Sequence, residues 1–459
     1  MGQLEEVYRK LAQAGRQGLH EPYPAGLGRM YPLLERLGSP HAAFPVVIVT
    51  GSKGKGSTAT FLANLLQHSP ENITTFKIGL FTGPHLHTYR ERIRLNGEMI
   101  SPADFADLFD EIWQTLRHEP DLGFISRFEL LTVLAFVYFA RQKVNLAVME
   151  VGMGGTYDAV NVAQDVPLAV FTPIEMEHVA TLGPTLADIV WHKSGIMRQG
   201  GLSVSSSQNP EVVAQLEAAA QVQAVSFQRA ADLWGYQTNS LKVALADGQF
   251  SQSFEAVGPG GESYALKTRL AGTFQVENAL TALAAAHLLH QKGLAGATDP
   301  SALLYASLPG RFELAGQNPP VLLDAAHTPN AMRQLVQTLE GLNLKPTWVL
   351  GFLKDKNIAE MLRLLPLEGR SLFLTDVHSR RQADRQVVLE SLDQTPSILK
   401  VTSSLSEALA GAKKAASQEP EGLVCLTGSL YLVGEARVQL GLLDPATAAE
   451  ARLISDLEA

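Results

Sequence analysis

Val46-Val47-Ile48-Val49-Thr50-Gly51-Ser52-Lys53-Gly54-Lys55-Gly56-Ser57-Thr58, followed by Phe61, Leu62, Leu65 and Leu66 at helical spacing, is the stretch that decides the fold. A short apolar run followed by a glycine loop and a helix start makes a phosphate cradle. Glycines let backbone N–H groups approach phosphate oxygens, and the helix N-terminus adds partial positive charge. Lys55 supplies a full charge and Ser57 a hydroxyl suited to Mg²⁺. The common spacing of such loops is not met: Val49 stands where the first glycine falls, and Gly56 follows the lysine. The competing reading is a flexible Gly/Lys surface loop. The flanking strand and helix patterns favour the cradle, and with it a nucleoside triphosphate.

The chain of 459 residues is too long for one ordinary core, so two domains or more are expected. Hydrophobic residues make up 46% and charged residues 18%, a globular balance. With 37 basic and 46 acidic residues the net charge is −9, which argues against a general nucleic-acid surface. The single cysteine, Cys425, excludes an internal disulfide and a cysteine-rich metal site, and reads as a small buried hydrophobe. No apolar run is long enough to span a membrane, and the first residues lack the pattern of a secretory leader. The expectation is a soluble cytoplasmic protein.

From 46 to 200, apolar strands such as Leu146-Ala147-Val148-Met149 and Leu168-Ala169-Val170-Phe171 alternate with helical stretches, which predicts a parallel α/β sheet. Alternation around Gly258-Pro259-Gly260-Gly261 predicts a hairpin, and the Ala/Leu-rich run from Glu277 to Leu289 a helix. A second α/β rhythm begins near 320, with strands at Val321–Leu323, Thr347–Phe352, Ser371–Thr375 and Leu423–Thr427. Glycines and prolines gather at 292–310. The chain is therefore expected to divide near 300, into 1–300, a nucleotide-binding α/β domain, and 301–459, a second α/β domain, which the resemblance described below implies to be Rossmann-like.

Ligands of open parallel sheets gather beyond the carboxyl ends of the strands. Glu150 ends one strand and, beside the glycine loop, is placed to hold Mg²⁺; read alone it serves equally as a solvated strand-end charge. His178 follows another strand, at the same end of the sheet, although Mg²⁺ prefers oxygen ligands. Lys193 by itself reads as a helical surface lysine. Asp324, His327 and Ser429 fall on the equivalent edge of the second sheet, where each also reads as a helix cap, a turn residue or a loop residue.

Ordered blocks spread from about 26 to 436 resemble the folylpolyglutamate synthase/dihydrofolate synthase family of the Mur ligase superfamily. They include Gly51 to Ser57, Phe81-Thr82-Gly83-Pro84-His85-Leu86, Glu91-Arg92-Ile93-Arg94-Leu95-Asn96-Gly97, Phe128-Glu129, and Glu150-Val151-Gly152-Met153-Gly154-Gly155 with Asp158 and Asn161. Further blocks are His178 with Leu182-Gly183, Lys193-Ser194-Gly195-Ile196, Gly272 with Gln275 and Asn278, Pro309 to Glu313, Asp324 to Pro329, Lys354-Asp355-Lys356, and Gly428 to Gly434.

The resemblance implies a two-domain Mur ligase fold and an ATP-dependent ligase. ATP phosphorylates a folate or dihydropteroate carboxylate, and L-glutamate displaces phosphate from the acyl phosphate. It implies ATP contacts at Gly54, Lys55, Gly56, Ser57, Thr58, Asn278, Arg311 and Asp324. It implies Mg²⁺ ligands at Ser57, Glu150 and His178, with K⁺ as a further candidate cation. Lys193 matches a lysine that is carbamylated in the family, and His327 and Ser429 match positions tied to glutamate and the acyl phosphate. Gly28, Arg29, Pro84, His85, Phe128, Glu129, Tyr157, Asp158 and Ala159 match the folate side. The family leans monomeric, with small-molecule substrates and no nucleic-acid or membrane partner.

Several residues depart from the family pattern. Ser52-Lys53 replaces Thr-Asn, Gly83 replaces Ser, Ala325 and Thr328 replace Gly and Asn, and Glu177 replaces Asp. Lys53 either adds a cation beside the phosphates or faces solvent. An acceptor carboxylate other than a folate is the alternative these departures leave open.

Overall fold

In the computed structural model, residues 2–18, 27–69, 76–118, 124–246, 249–316, 318–419 and 422–458 are described. Val46–Thr50 lies in the interior of an eight-stranded sheet. The order across it is Glu98–Met99, Ile93–Leu95, Ile78–Phe81, Leu146–Glu150, Val46–Thr50, Leu168–Phe171, Leu202–Ser205, Ser226–Arg229. The last six are parallel, as the alternating rhythm predicts, and the first two turn back antiparallel.

Continuous apolar strands follow from burial on both faces. Val46 and Ile48 enter one core with Ala147 and Met149. Val47 and Val49 enter the other with Leu146 and Val148, packed beneath the helix Lys55–Gln67. That helix lies against Thr273–Gln291, which begins four residues before the predicted Glu277.

The predicted hairpin is present: Gln249–Val257 pairs antiparallel with Ser263–Thr268. Phe250 meets Phe312 at 4.8 Å between ring centroids, which ties this small sheet to the second half of the chain.

That half holds a six-stranded sheet in the order Glu313–Ala315, Val321–Leu323, Val424–Thr427, Thr347–Leu350, Ser371–Leu374, Ile398–Val401. All but the first strand are parallel. Leu322, Trp348, Leu372 and Cys425 face one core, and Val321, Val349, Phe373 and Leu426 the other. Ile398–Val401, which the sequence reading omits, is an edge strand exposed along its whole length.

The helix Pro445–Glu458 does not stay with this sheet. It packs on Gly2–Gly18, and Ile454 joins the first core beside Val7, Tyr8 and Leu11. Glu450, 3% exposed, accepts hydrogen bonds from Tyr8 Oη (2.6 Å), Thr88 Oγ1 (2.8 Å), and Arg90 Nε and Nη2 (3.0 and 2.8 Å). Glu458 accepts from Tyr89 Oη (2.6 Å) and pairs with Arg127. The carboxyl-terminal helix therefore straps the segment 88–92 onto the first helix. Replacing one member of such a buried pair leaves the other charge uncompensated. Glu450→Ala is expected to lower unfolding free energy by about 3–5 kcal/mol, read by urea denaturation followed by circular dichroism.

Candidate active site

The glycine loop is shaped by what presses on it. Gly54 caps the helix Lys55–Gln67 with φ +79°, in the left-handed region, and a Cβ there would collide with Asn278 Oδ1. A Cβ on Gly56 would stand 3.2 Å from Glu150 Oε2. These positions need glycine because Asn278 and Glu150 close in from either side. Asn278 is itself held, its Nδ2 donating to Gln275 Oε1 at 3.0 Å, with Thr58 Oγ1 3.4 Å from its Oδ1. Lys55 Nζ folds back to donate to Gly51 O at 2.8 Å, at the mouth of the loop.

Glu150 is 7% exposed, so it is not a solvated strand-end charge. Burial raises its carboxyl above the usual carboxylate range, against the pull of Lys55, the Gly83 N–H (2.9 Å), Arg92 and Arg311. An anion held in this way is short of positive charge. His178 stands at φ +47°, a conformation uncommon outside glycine, and its side chain is 54% exposed. Among the described residues no group of three or more His, Cys, Asp or Glu side chains gathers at one point.

Lys193 is 1% exposed, which overturns the surface reading. It lies on the helix Leu186–Ser194, and its Nζ donates to Gly51 O (2.9 Å) and Glu177 Oε1 (2.8 Å). Burial brings its pKa down to about 8; Glu177 opposes that shift and Lys55 adds to it. Lys53 neither points to solvent nor stands free: it pairs with Glu175, whose other oxygen is 3.3 Å from Asn330 Nδ2 in the second half of the chain.

On the second sheet's edge, half-buried Asp324 accepts from Phe312 N–H and Ala326 N–H, each at 2.9 Å, and desolvation raises its pKa against Arg311. His327 Nδ1 donates to Ala325 O at 2.8 Å, which leaves Nε2 as an acceptor. Burial keeps this imidazole neutral, helped by Arg311 and Lys356 and opposed by the Ala325 carbonyl. Buried Ser429 caps the helix Leu430–Gln439, accepting from Tyr431 N–H at 3.2 Å. The positive charge of Arg311 lowers the pKa of Glu150, Asp324 and His327 alike, against burial at the two acids and together with burial at His327.

The predicted folate residues divide. Arg29 and Glu129 form a bidentate pair at 2.8 Å, so each already has a partner. Gly28 is exposed in the adjoining turn. The Phe128 ring lies on Gly152, where a Cβ would be 2.7 Å away. Asp158 ties its loop by accepting from Met153 N–H and Val160 N–H, each at 3.0 Å, and burial raises its pKa to about 6. Ala159 packs into the core, whereas Tyr157 lies beside Trp191 and His192. Pro84 and His85 sit on the loop beyond Ile78–Phe81, with His85 Nδ1 accepting from Arg92 Nε at 3.0 Å.

Arg92 is a residue the sequence reading did not assign. Its guanidinium lies against Gly83 and His85, and burial, reinforced by Arg127, brings its pKa down to about 10. The signal was the block Glu91-Arg92, quoted for its resemblance but given no role.

Residues 125–286 match the Mur ligase middle domain, and residues 310–430 the Mur ligase glutamate ligase domain. Dihydrofolate synthase/folylpolyglutamate synthase of Bacillus subtilis is 30% identical over 441 residues, covering 90% of this chain and 95% of that one. The chain belongs to the folylpolyglutamate synthase/dihydrofolate synthase family. Members of this Mur ligase family are ATP-dependent ligases. Mycobacterium tuberculosis folylpolyglutamate synthase complexed with ADP superposes with a TM-score of 0.82 at 30% identity, covering 97% of this chain and 99% of that one. The E. coli FolC structure in complex with DHPP and ADP gives a TM-score of 0.73 at 26% identity, covering 92% and 95%.

The close approach at Gly54 yields a direct expectation for this ligase. Gly54→Ala forces a side chain into the left-handed region and against Asn278, at about 1–3 kcal/mol. ATP affinity by isothermal titration is expected to fall at least about tenfold, with the far-ultraviolet circular dichroism unchanged.

Proposed function

We propose that the protein joins L-glutamate to the carboxylate of a folate or dihydropteroate at the expense of ATP. The setting of the glycine loop carries this reading, because Gly56 faces Glu150 Oε2 and buried Lys193 donates to Gly51 O at the same loop. In the proposed division, residues 1–300 bind nucleotide and acceptor, and 301–459 present glutamate. The protein acts as a cytoplasmic monomer.

An acceptor carboxylate oxygen attacks the γ-phosphorus, the bond to the β-phosphate oxygen breaks, and ADP leaves. Lys55, Arg311 and the loop N–H groups offset the repulsion of two anions and stabilise the charge that spreads over the transferring group. The glutamate amine then attacks the acyl carbon, and phosphate departs with the electron pair of the broken C–O bond. In this proposal His327 takes the amine proton, a role supported by its lowered pKa and by an Nδ1 already donating to Ala325 O, which leaves Nε2 as the acceptor. Ser57, Glu150 and His178 are the candidate Mg²⁺ ligands. Two of the three offer oxygen, and the under-compensated Glu150 carboxylate fits a hard cation that keeps several waters. Mg²⁺ there supplies charge neutralisation at the phosphates.

The decisive measurement is ADP release with dihydropteroate, tetrahydrofolate and unrelated carboxylates, with and without L-glutamate. Glutamate-dependent release with a pteridine is the expected result. Its absence with every pteridine, alongside release with another carboxylate, favours the alternative acceptor.

Carbamylation of Lys193 forms part of the proposal. A carbamate keeps one N–H on Nζ but replaces the ammonium charge with an anion, so the ion pair with Glu177 is lost on modification. Carbon dioxide adds only to the neutral amine. The folded state releases this proton near pH 8, whereas an unperturbed lysine keeps it to 10.5. The unfolded chain therefore binds more protons between those values, and this group's contribution to stability rises with pH across the window. Isotopic bicarbonate should label Lys193 increasingly as pH passes through about 8, read by carbon NMR. Lys193→Ala should lower turnover by about 10²- to 10³-fold, the scale of losing one preorganised electrostatic group.

A further inference from the structure

The carboxyl-terminal helix Pro445–Glu458 does more than its strap requires. Glu450, Ile454 and Glu458 fall four apart and so share one face. The first two make the buried contacts of the strap. Glu458 continues that face, and its side chain is only 15% exposed, whereas that of Asp456 on the same turn is 78% exposed. Its Oε1 accepts from Tyr89 Oη at 2.6 Å and from Arg127 Nη1.

From Glu458 a series of contacts leads to the acid beside the phosphate cradle. Arg127 Nη1 also donates to Tyr89 Oη at 3.1 Å, and its guanidinium lies over the Tyr89 ring, 5.6 Å from the centroid. The same guanidinium presses on the first helix, where a Cβ on Gly15 would be 2.9 Å from Arg127 Cζ. The Tyr89 ring packs on the His85 ring, 4.5 Å between centroids. His85 Nδ1 accepts from Arg92 Nε at 3.0 Å, so this buried imidazole is neutral and carries its proton on Nε2. Arg92 Nη1 fills the space beside Gly83, 2.6 Å from where a Cβ would stand. Gly83 N–H in turn donates to Glu150 Oε2 at 2.9 Å.

Two guanidinium groups share this network, and like charges repel. Burial lowers the Arg92 pKa, Arg127 adds to that fall, and Tyr89, Glu150 and Glu458 oppose it. Loss of Glu458 takes the paired carboxylate from Arg127 and the acceptor from the Tyr89 hydroxyl. It also shifts the balance of charge around Arg92 toward Glu150.

We propose that Glu458 is a positioning residue for the ligase reaction, fixing through Tyr89 and Arg127 the His85–Arg92 pair and so the cation beside Gly83. The inference rests on the ligation reading above and gives the carboxyl-terminal helix a part in the chemistry. The hydrogen bonds of Lys55 and Lys193 lie outside this series, so ATP affinity holds while the chemical step slows.

The test follows ADP release with dihydropteroate and L-glutamate in the unchanged protein, Glu458→Ala, Glu458→Gln, Tyr89→Phe and the Glu458→Ala/Tyr89→Phe double variant. Each is assayed well below its own urea midpoint, so that only folded protein is compared. Glu458→Ala should lower kcat roughly 10- to 100-fold, the scale of a group misplaced by about 1 Å, with KM for ATP unchanged. Glu458→Gln, which keeps an acceptor for Tyr89, should recover part of the loss. Tyr89→Phe should also slow turnover, and the double variant should be no slower than Glu458→Ala, because the two residues act in series. In the ligand-free protein, the nitrogen NMR signal of His85 should report the Nε2–H tautomer and move in Glu458→Ala. Unchanged kcat in Glu458→Ala overturns the positioning role alone. So does an unmoved His85 signal, or a double variant whose losses multiply, because either marks a residue that serves only the strap. Absence of ADP release from the unchanged protein with any pteridine overturns the ligation reading and this inference together.

Discussion

A carboxylate buried at the end of a central strand sets the terms for everything around it. Glu150 is held by one backbone N–H, felt by three cations and compensated by none of them at contact distance. Removing an anion from water is costly unless positive charge is brought near. Its neighbours follow from that requirement. Gly56 lets the phosphate loop close in, Lys55 folds over the loop, and the charge of Arg311 acts on Glu150 from the second half of the chain. The site is a set of charges balanced for a guest that carries both a cation and an anion.

In the proposed reaction, two half-sites on separate sheets serve two chemical stages. The phosphate cradle ends one sheet, and the neutral His327 with capped Ser429 ends the other. Between them runs the chain Lys53–Glu175–Asn330, which carries a contact from the glycine loop to the second half of the protein. Enclosing an acyl phosphate between two walls keeps it from water while the amine arrives.

Much of this was legible in the sequence because its signals are local. The apolar runs at 46–49, 146–149 and 168–171 are strands because burial on both faces leaves no room for alternation. The hairpin about Gly258–Gly261 showed in its alternation and turn residues. The edge strand Ile398–Val401 was missed because it lacks a buried face to impose a pattern. The site was legible as residues but not as partnerships. Lys193 sits in a helix whose periodicity says nothing of the loop that covers it, and Lys53 pairs with Glu175 across 122 residues. Arg29 and Glu129 were both assigned to the acceptor, and neither position reveals that they hold each other.

The strap formed by Pro445–Glu458 has a consequence for how the chain is made. The Tyr8–Glu450 contact joins residues 442 positions apart, and Ile454 joins a core whose other buried members lie between Leu4 and Val225. Domains commonly fold as units while the ribosome is still at work, N-terminal first. Here the first sheet emerges before Glu450, the carboxylate partner of Arg90, and before Ile454. Closure of the first core thus waits until residues 445–458 have followed the second sheet out of the ribosome. A nascent chain that stalls short of 445 leaves Arg90 without its carboxylate and the first core without Ile454.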